Sequence, residues 1–260
     1  MFNWLKNRRR KQITAQPFPD EWHKTIMERM PYVAALPDSL QNELFDFIQI
    51  FLAEKNVEGC TGFAITDEIR VIIACQACIL LLNRPTSMYR KLRTVLVYES
   101  LYFAEQETYN EGGLVSLSHQ TRAGESWDLG VVILVWEEVL RGYRHQHDGY
   151  NVVIHEFAHQ LDQENKAADG LPFLDNPDMY ARWQEVFSEH YARLLRDVKR
   201  GRKTVLDDYG ATNPAEFFAV ASESFFEESI KLKKRHPDLY AVLQEYYQQD
   251  PAQYWDDARM

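Results

Sequence analysis

Cysteine, positive charge and long hydrophobic runs are all scarce in this sequence. The three cysteines among 260 residues, Cys60, Cys75 and Cys78, are too few to form a disulfide framework. Cys75 and Cys78 form a C-x-x-C, but they stand inside an apolar run, which favours helix packing over redox or zinc chemistry. The longest apolar stretch, residues 71–82, is too short to cross a bilayer as a helix.

The charge balance is acidic, and the N-terminus has no apolar segment or cleavage site of a signal peptide. We therefore expect a soluble, cytoplasmic protein without membrane contact. A net charge of −10 and a pI near 5.3 argue against direct nucleic-acid binding. Positive charge is concentrated near the start, in Lys6, Arg8, Arg9, Arg10 and Lys11. We interpret this run as a solvated, disordered N-terminus rather than a membrane or nucleic-acid contact.

The order of periodic patterns predicts the fold class. Residues 20–30 and 38–55 have helical patterns separated by prolines. Residues 66–83 are apolar nearly all round, with Thr66 and Asp67 as capping candidates, which predicts a buried central helix.

The pattern then changes from helical to extended. Residues 93–100 and 130–138 are β-branched and aromatic, which predicts strands of a small sheet. Glycines punctuate the interval at Gly112, Gly113, Gly124 and Gly130. The helical period returns at residue 151 and continues almost to the end. Helices, a few strands and then helices indicate a mainly helical α+β fold.

The segment NVVIHEFAHQLD contains His155, Glu156 and His159 in an H-E-x-x-H pattern. Two imidazoles four residues apart lie on one helical face and can reach one zinc ion, and Glu156 projects beside it as a candidate base. The alternative is a pair of core histidines satisfied by hydrogen bonds. It is the weaker hypothesis, because it places three polar groups together in an apolar helix.

A catalytic zinc usually has three protein ligands and one open position. The pattern H-E-x-x-H-x-x-G-x-x-H is excluded, because Asp162 and Asn165 occupy its glycine and third-histidine positions. The third ligand is therefore expected from a later segment, where the candidates are Glu185, Glu189, His190, Glu216 and Glu223.

Glu216 is the preferred candidate. Asn213 followed by Pro214 predicts a helix start, which places Glu216 in the first turn of an apolar helix. A glutamate at this position could instead complete a capping box with Asn213. Glu223, two turns further on the same face, is the fallback ligand or an acceptor for a ligand's N–H.

The segments NVVIHEFAHQLD and YGATNPAEFFAVASE together resemble the Mlc titration factor A family of bacterial zinc-dependent peptidases. The resemblance extends to ITDEIRVIIACQACILLL and AGESWDLGVVILVWEEV, and so covers most of the chain. The two catalytic segments are also similar to those of anthrax lethal factor. The resemblance implies a zincin-like core in residues 91–260, with a helical region in residues 1–90 packed on it.

The family pattern implies one Zn²⁺ per chain, held by His155, His159 and Glu216. It implies that Glu156 is the general base and that Tyr209 stabilises the oxyanion. Without that resemblance, Tyr209 would be interpreted as an aromatic residue packed on the core. Asp162 is a further candidate acceptor from a ligand's N–H, with a helix-terminal contact as the equal alternative.

The resemblance implies a gluzincin-type, aminopeptidase-like hydrolase acting on peptide substrates and linked to sugar uptake through a transcriptional repressor. The alternative is a non-catalytic protein that sequesters an Mlc-type repressor, with zinc in a structural role. Residues 131–138 could form an edge strand that pairs with substrate, or an ordinary core strand. His119, His145 and His147 are interpreted as surface or loop residues.

Overall fold

A computed structural model describes residues 2–100, 130–144, 147–165, 167–174 and 176–254. The chain divides into two compact units. The first comprises residues 1–79 and 90–140, and the second comprises residues 80–89 and 141–260. The expected division into residues 1–90 and 91–260 stays a prediction.

The first unit consists of helices and one small sheet. Its elements are α1 (Phe2–Thr14), α2 (Asp20–Arg29), α3 (Pro31–Ala35), α4 (Asp38–Glu54), β1 (Asn56–Gly59), α5 (Asp67–Ile79), β2 (Thr94–Tyr98) and β3 (Val131–Val135). Helices α2, α4 and α5 confirm the helical patterns in the sequence. Thr66 caps α5 as expected, since its Oγ1 accepts a hydrogen bond from the Ile69 N–H at 3.3 Å.

The sheet has the strand order β1-β2-β3, and both strand pairs are parallel. The strands β2 and β3 confirm the two predicted extended segments, but β1 was not predicted. The predicted second strand was too long, because Trp136–Arg144 forms helix α6. Gly112, Gly113 and Gly124 lie outside the described residues. Within the described sheet, β3 is an edge strand, and its pairing with substrate stays a prediction.

Helix α5 lies in the core of the first unit, since Ile69 and every residue from 71 to 79 are buried. Cys75 and Cys78 are fully buried in it, and burial raises the pKa of both thiols. They are packing residues, as expected. The basic run is solvated, as expected, since Lys6, Arg8 and Arg9 are exposed, but it is helical rather than disordered. Helix α1 packs on α4, and the Arg10 guanidinium donates to both Glu54 carboxylate oxygens at 2.7 and 2.8 Å.

The second unit is helical. Its elements are α7 (Val152–Asp162), α8 (Pro177–Lys199), α9 (Pro214–Glu227), α10 (Ser229–Arg235) and α11 (Pro237–Tyr247), with short 3-10 helices at Gln163–Asn165, Asp208–Ala211 and Pro251–Gln253. Three of these helices begin with proline at the first helical position, where its missing N–H costs nothing. These findings establish a mainly helical α+β fold.

The core of the second unit is rich in aromatic residues. Trp183 of α8 is fully buried, stacks on Phe187 with ring centroids 4.0 Å apart, and meets Phe218 of α9 edge-on. This packing fixes α9 against α8. Of the helices that the structure describes, none is both long enough and apolar enough to cross a bilayer.

Candidate metal centre

Helix α7 carries both histidines of the H-E-x-x-H pattern. It begins after Asn151, whose Oδ1 accepts a hydrogen bond from the Ile154 N–H at 3.1 Å. This cap was not recognised in the sequence, although an asparagine directly before an apolar helical run is a typical signal for one. Because the cap fixes where the helix begins, it also fixes the positions of His155 and His159.

Helix α9 brings Glu216 to the same place. Asn213 is its N-cap, as predicted, and the Asn213 Oδ1 accepts from the Glu216 N–H at 2.9 Å. The Glu216 side chain does not serve mainly as the other half of a capping box, because its Oε2 faces the two histidines. Glu216 is only 4% exposed, so its carboxylate depends on these protein partners.

Three potential ligand atoms converge between α7 and α9. The Glu216 Oε2 lies 2.9 Å from the His155 Nε2 and 3.3 Å from the His159 Nε2, and the two Nε2 atoms are 3.2 Å apart. Ligand atoms bound at the usual zinc distances in a tetrahedron would be about 3.3 Å apart. The observed separations match that value closely. This His/His/Glu group could therefore hold a metal ion.

Glu223 orients the His155 ring through the nitrogen that does not face Glu216. Its Oε1 accepts a hydrogen bond from the His155 Nδ1 at 2.7 Å, and its Oε2 accepts from the Asn151 backbone N–H at 2.6 Å. With Nδ1 donating, a neutral imidazole presents its Nε2 lone pair toward Glu216. Glu223 therefore selects the tautomer that a metal requires.

A second carboxylate, Glu227, supports the same cap one turn further along α9. Its Oε1 accepts from the Asn151 Nδ2 at 2.9 Å, and its Oε2 accepts from the His147 N–H at 3.2 Å. Burial raises the pKa of Glu227 to about 7. This residue was not singled out in the sequence, because its spacing from the motif gives no local signal.

Glu156 and Tyr209 complete the group. The Glu156 carboxylate is near enough to His155 and Tyr209 to raise the pKa of each side chain. The Tyr209 ring centroid is 5.8 Å from that of His155, and the nearby Glu216 carboxylate contributes to raising the Tyr209 pKa. Asp207 fixes the 3-10 helix that carries the tyrosine, since its Oδ1 accepts from the Tyr209 N–H at 2.8 Å.

The electrostatics of the group favour a cation between the helices. Burial would raise the pKa of Glu216, but hydrogen bonds from His155 and His159 lower it to about 2. Burial would also lower the pKa of His155, but Glu223 and Glu216 outweigh it and raise that pKa well above its ordinary value. Burial raises the pKa of Tyr209, as does the charge of Glu216. The carboxylates stabilise positive charge at this position, whether it is a proton or a metal ion.

Asp162, the other candidate acceptor, contacts a loop. Its Oδ2 accepts from the Gly170 N–H at 2.9 Å, and burial raises its pKa to about 7. Gly170 has a φ of +77°, and a Cβ there would lie 2.3 Å from the Pro214 carbonyl oxygen. The loop therefore packs directly on the first turn of α9. The proposed contact of Asp162 with a ligand histidine stays a prediction.

The remaining candidates lie elsewhere. Glu185 and Glu189 are exposed on α8. His190 is buried, and its two ring nitrogens contact Asp238 at 2.9 Å and His236 at 3.2 Å. His147 is a loop residue, as expected. His119 and His145 lie outside the described residues.

Comparison with known proteins identifies the class. The glucose-regulated metallo-peptidase M90 family matches residues 4–248. That match includes both units and every residue of the metal group. The chain belongs to this metallopeptidase family.

Several curated relatives are similar over nearly their whole length. An uncharacterized protein of Synechocystis is 42% identical over 250 residues, which cover 96% of this chain and 90% of the relative. Proteins named Mlc titration factor A are 30% identical in Pectobacterium atrosepticum, covering 96% and 93%, and 28% identical in Escherichia coli, covering 89% and 87%. The resemblance to this family is thus confirmed, while the similarity to anthrax lethal factor stays a prediction.

Proposed function

We propose that the protein is a zinc-dependent metallopeptidase of the gluzincin type, with aminopeptidase-like activity on short peptides. The observation that carries the proposal is the convergence of two imidazole nitrogens and one carboxylate oxygen, with Glu156 and Tyr209 beside them. His155, His159 and Glu216 would be the ligands of one Zn²⁺. Two nitrogen donors and one oxygen donor suit zinc and leave its fourth position open for water or substrate.

Zinc, when bound, supplies a Lewis acid that makes a water molecule acidic near neutral pH and polarises a peptide carbonyl. Glu156 accepts the proton of the attacking water and returns it to the leaving amine. Glu223 keeps the His155 ring oriented during this cycle, because its carboxylate fixes the Nδ1 hydrogen.

Tyr209 donates a hydrogen bond to the developing oxyanion. A tyrosine phenol is protonated at neutral pH, and burial raises its pKa further here, so it can act as a donor. The Tyr209 ring lies beside His155, with 5.8 Å between the ring centroids, and so is next to the metal group before substrate arrives. A site that served recognition alone would need neither Glu156 nor Tyr209, and their placement supports catalysis.

A role in regulation accompanies this activity in the proposal. Relatives are named Mlc titration factor A, which supports an interaction of this chain with a transcriptional repressor of the Mlc type and a link to sugar uptake. The alternative, a non-catalytic protein that sequesters such a repressor around a structural zinc, predicts metal binding without turnover.

Removal and return of the metal test the proposal. The purified protein should hydrolyse amino-acid p-nitroanilides, lose activity after dialysis against a chelator, and recover it with one equivalent of zinc. N-acetylated anilides should be poor substrates if a free amino terminus is required. An active protein after complete metal removal would contradict a metal-dependent mechanism. A zinc-loaded protein that cleaves none of the anilides or peptides would favour the sequestering alternative.

A further inference from the structure

A second site stands out in the first unit, where basic side chains from three separate segments line one cavity. The cavity has a volume of about 760 Å³. Lys6 and Arg9 reach it from α1, Lys55 from the end of α4, and Arg90 and Arg93 from the segment before β2. A volume of this size suits a small organic ligand.

The charge balance of the lining is strongly positive. Among the described residues of the lining, Glu54 is the one acidic side chain, and its carboxylate accepts two short hydrogen bonds from the Arg10 guanidinium. The Lys6 Nζ also lies 3.8 Å from the Glu54 Oε2, so this one carboxylate is shared between Arg10 and Lys6. The chain as a whole has a net charge of −10, so this basic cluster differs in sign from the rest of the protein.

Lys55 is the buried basic residue of the described lining. It is 6% exposed, and its Nζ donates a hydrogen bond to the Leu92 carbonyl oxygen at 2.8 Å. Burial and the positive charges of Lys6, Arg10 and Arg93 outweigh the attraction of Glu54, and together they lower the Lys55 pKa to about 8. An anion in the cavity would relieve this repulsion and stabilise the charged ammonium.

We propose that this cavity binds a small soluble molecule that carries phosphate groups. The arginine forks of Arg9 and Arg93 and the ammonium groups of Lys6 and Lys55 are the donors that phosphate oxygens prefer. A phosphate dianion or a bisphosphate carries at least two negative charges and therefore matches several basic side chains better than a single carboxylate does. The site is separate from the metal group, whose residues belong to the second unit.

Isothermal titration calorimetry of the full-length protein tests the proposal, with fructose 1,6-bisphosphate and inorganic phosphate as probes. Sodium chloride at equal ionic strength and uncharged fructose are the controls for the probes. We expect saturable binding of the bisphosphate, weaker binding of inorganic phosphate, and no heat from either control. The absence of saturable binding for both phosphate probes at millimolar concentration would overturn the proposal.

Three variants assign the binding to the cavity. Arg9→Gln and Arg93→Gln remove exposed guanidinium groups of the lining, and Arg235→Gln removes an exposed one outside it. Each lining variant should weaken bisphosphate binding about tenfold, since an arginine–phosphate pair is a strong charge-assisted contact. Arg235→Gln should bind as the wild type does. Equal weakening in all three variants would indicate a nonspecific charge effect and contradict the assignment.

A lipid headgroup is the other source of phosphate esters. Sedimentation with phosphatidylglycerol vesicles, compared with phosphatidylcholine vesicles, separates the two sources. Binding to the anionic vesicles without binding to soluble bisphosphate would overturn the proposal of a small soluble ligand. Competition of the soluble bisphosphate against vesicles would support it. Unchanged thermal unfolding of each variant in the absence of probes shows that it is folded.

Discussion

Replacement of Glu223 by glutamine should weaken metal binding, even though the side chain touches no metal. The Glu223 carboxylate accepts two hydrogen bonds, from the His155 Nδ1 at 2.7 Å and from the Asn151 N–H at 2.6 Å. Glutamine offers one acceptor oxygen, and its NH₂ group would face the other donor. An unmatched buried donor costs about 1–3 kcal/mol.

The mismatch between the glutamine NH₂ group and the His155 Nδ1 hydrogen changes which ring nitrogen of His155 carries the proton. If the amide NH₂ faces His155, the ring must accept at Nδ1, which moves its proton to the Nε2 atom that faces Glu216. We therefore expect zinc affinity to fall about 10- to 100-fold, the usual effect of losing such a partner. Competition with a chromophoric zinc chelator measures the affinity directly.

Glu227→Gln is the matched control. It removes a carboxylate from the same face of α9, where it accepts from the Asn151 Nδ2 and the His147 N–H, but neither of these donors is a nitrogen of a proposed ligand histidine. We expect this variant to lose some stability. Its zinc affinity should stay within about twofold of that of the wild type. Wild-type zinc affinity in Glu223→Gln, or an equal loss in Glu227→Gln, would refute the orienting role of Glu223.

Three further predictions concern separate features. Tyr209→Phe should lower kcat about 10²- to 10³-fold in the anilide assay while zinc content is unchanged, and a wild-type kcat would exclude an oxyanion role. Gly170→Ala should cost at least about 1–2 kcal/mol and lower the Tm, because its φ is +77° and its Cβ would meet the Pro214 oxygen at 2.3 Å. At Gly201, φ is +62° and an added Cβ would meet no non-neighbouring atom of the described residues within 4 Å, so Gly201→Ala should cost less stability. An equal loss of stability in both variants would contradict the packing argument. Burial and the charge of His190 lower the pKa of His236 to about 4 in the folded protein. As the pH falls below 6.5, this imidazole therefore becomes protonated in the unfolded chain before it does so in the folded protein. This group should thus remove about 2 kcal/mol of stability between pH 7 and pH 5, and urea unfolding of His236→Asn should lack that component. The same pH dependence of stability in variant and wild type would contradict this contribution of His236.

Local sequence signals predicted much of the second unit. The cap at Asn213, the proline after it and the apolar run beyond place Glu216 in a buried first turn, and α9 forms accordingly. The four-residue spacing of His155 and His159 likewise follows from helical periodicity alone. These features depend on neighbours within one or two turns, which the sequence displays directly.

Features that depend on distant partners were not predictable in this way. Strand β1, with the sequence NVEG, has little strand character and exists through its pairing with β2. Helix α1 is stabilised by an ion pair between Arg10 and Glu54, which lie 44 residues apart. The choice of Glu223 as the partner of His155 depends on side-chain directions across two helices. The basic cavity likewise combines three segments that no local pattern connects.

The most direct test of the central proposal is zinc content and anilide hydrolysis measured together for the wild type and for Glu156→Gln. Glutamine retains the shape of the side chain but cannot take the proton of the attacking water. We predict about one zinc per chain in both proteins, with turnover in the wild type and almost none in the variant. Equal turnover in both proteins, or zinc in both with no cleavage by either, would contradict a catalytic metal centre based on Glu156.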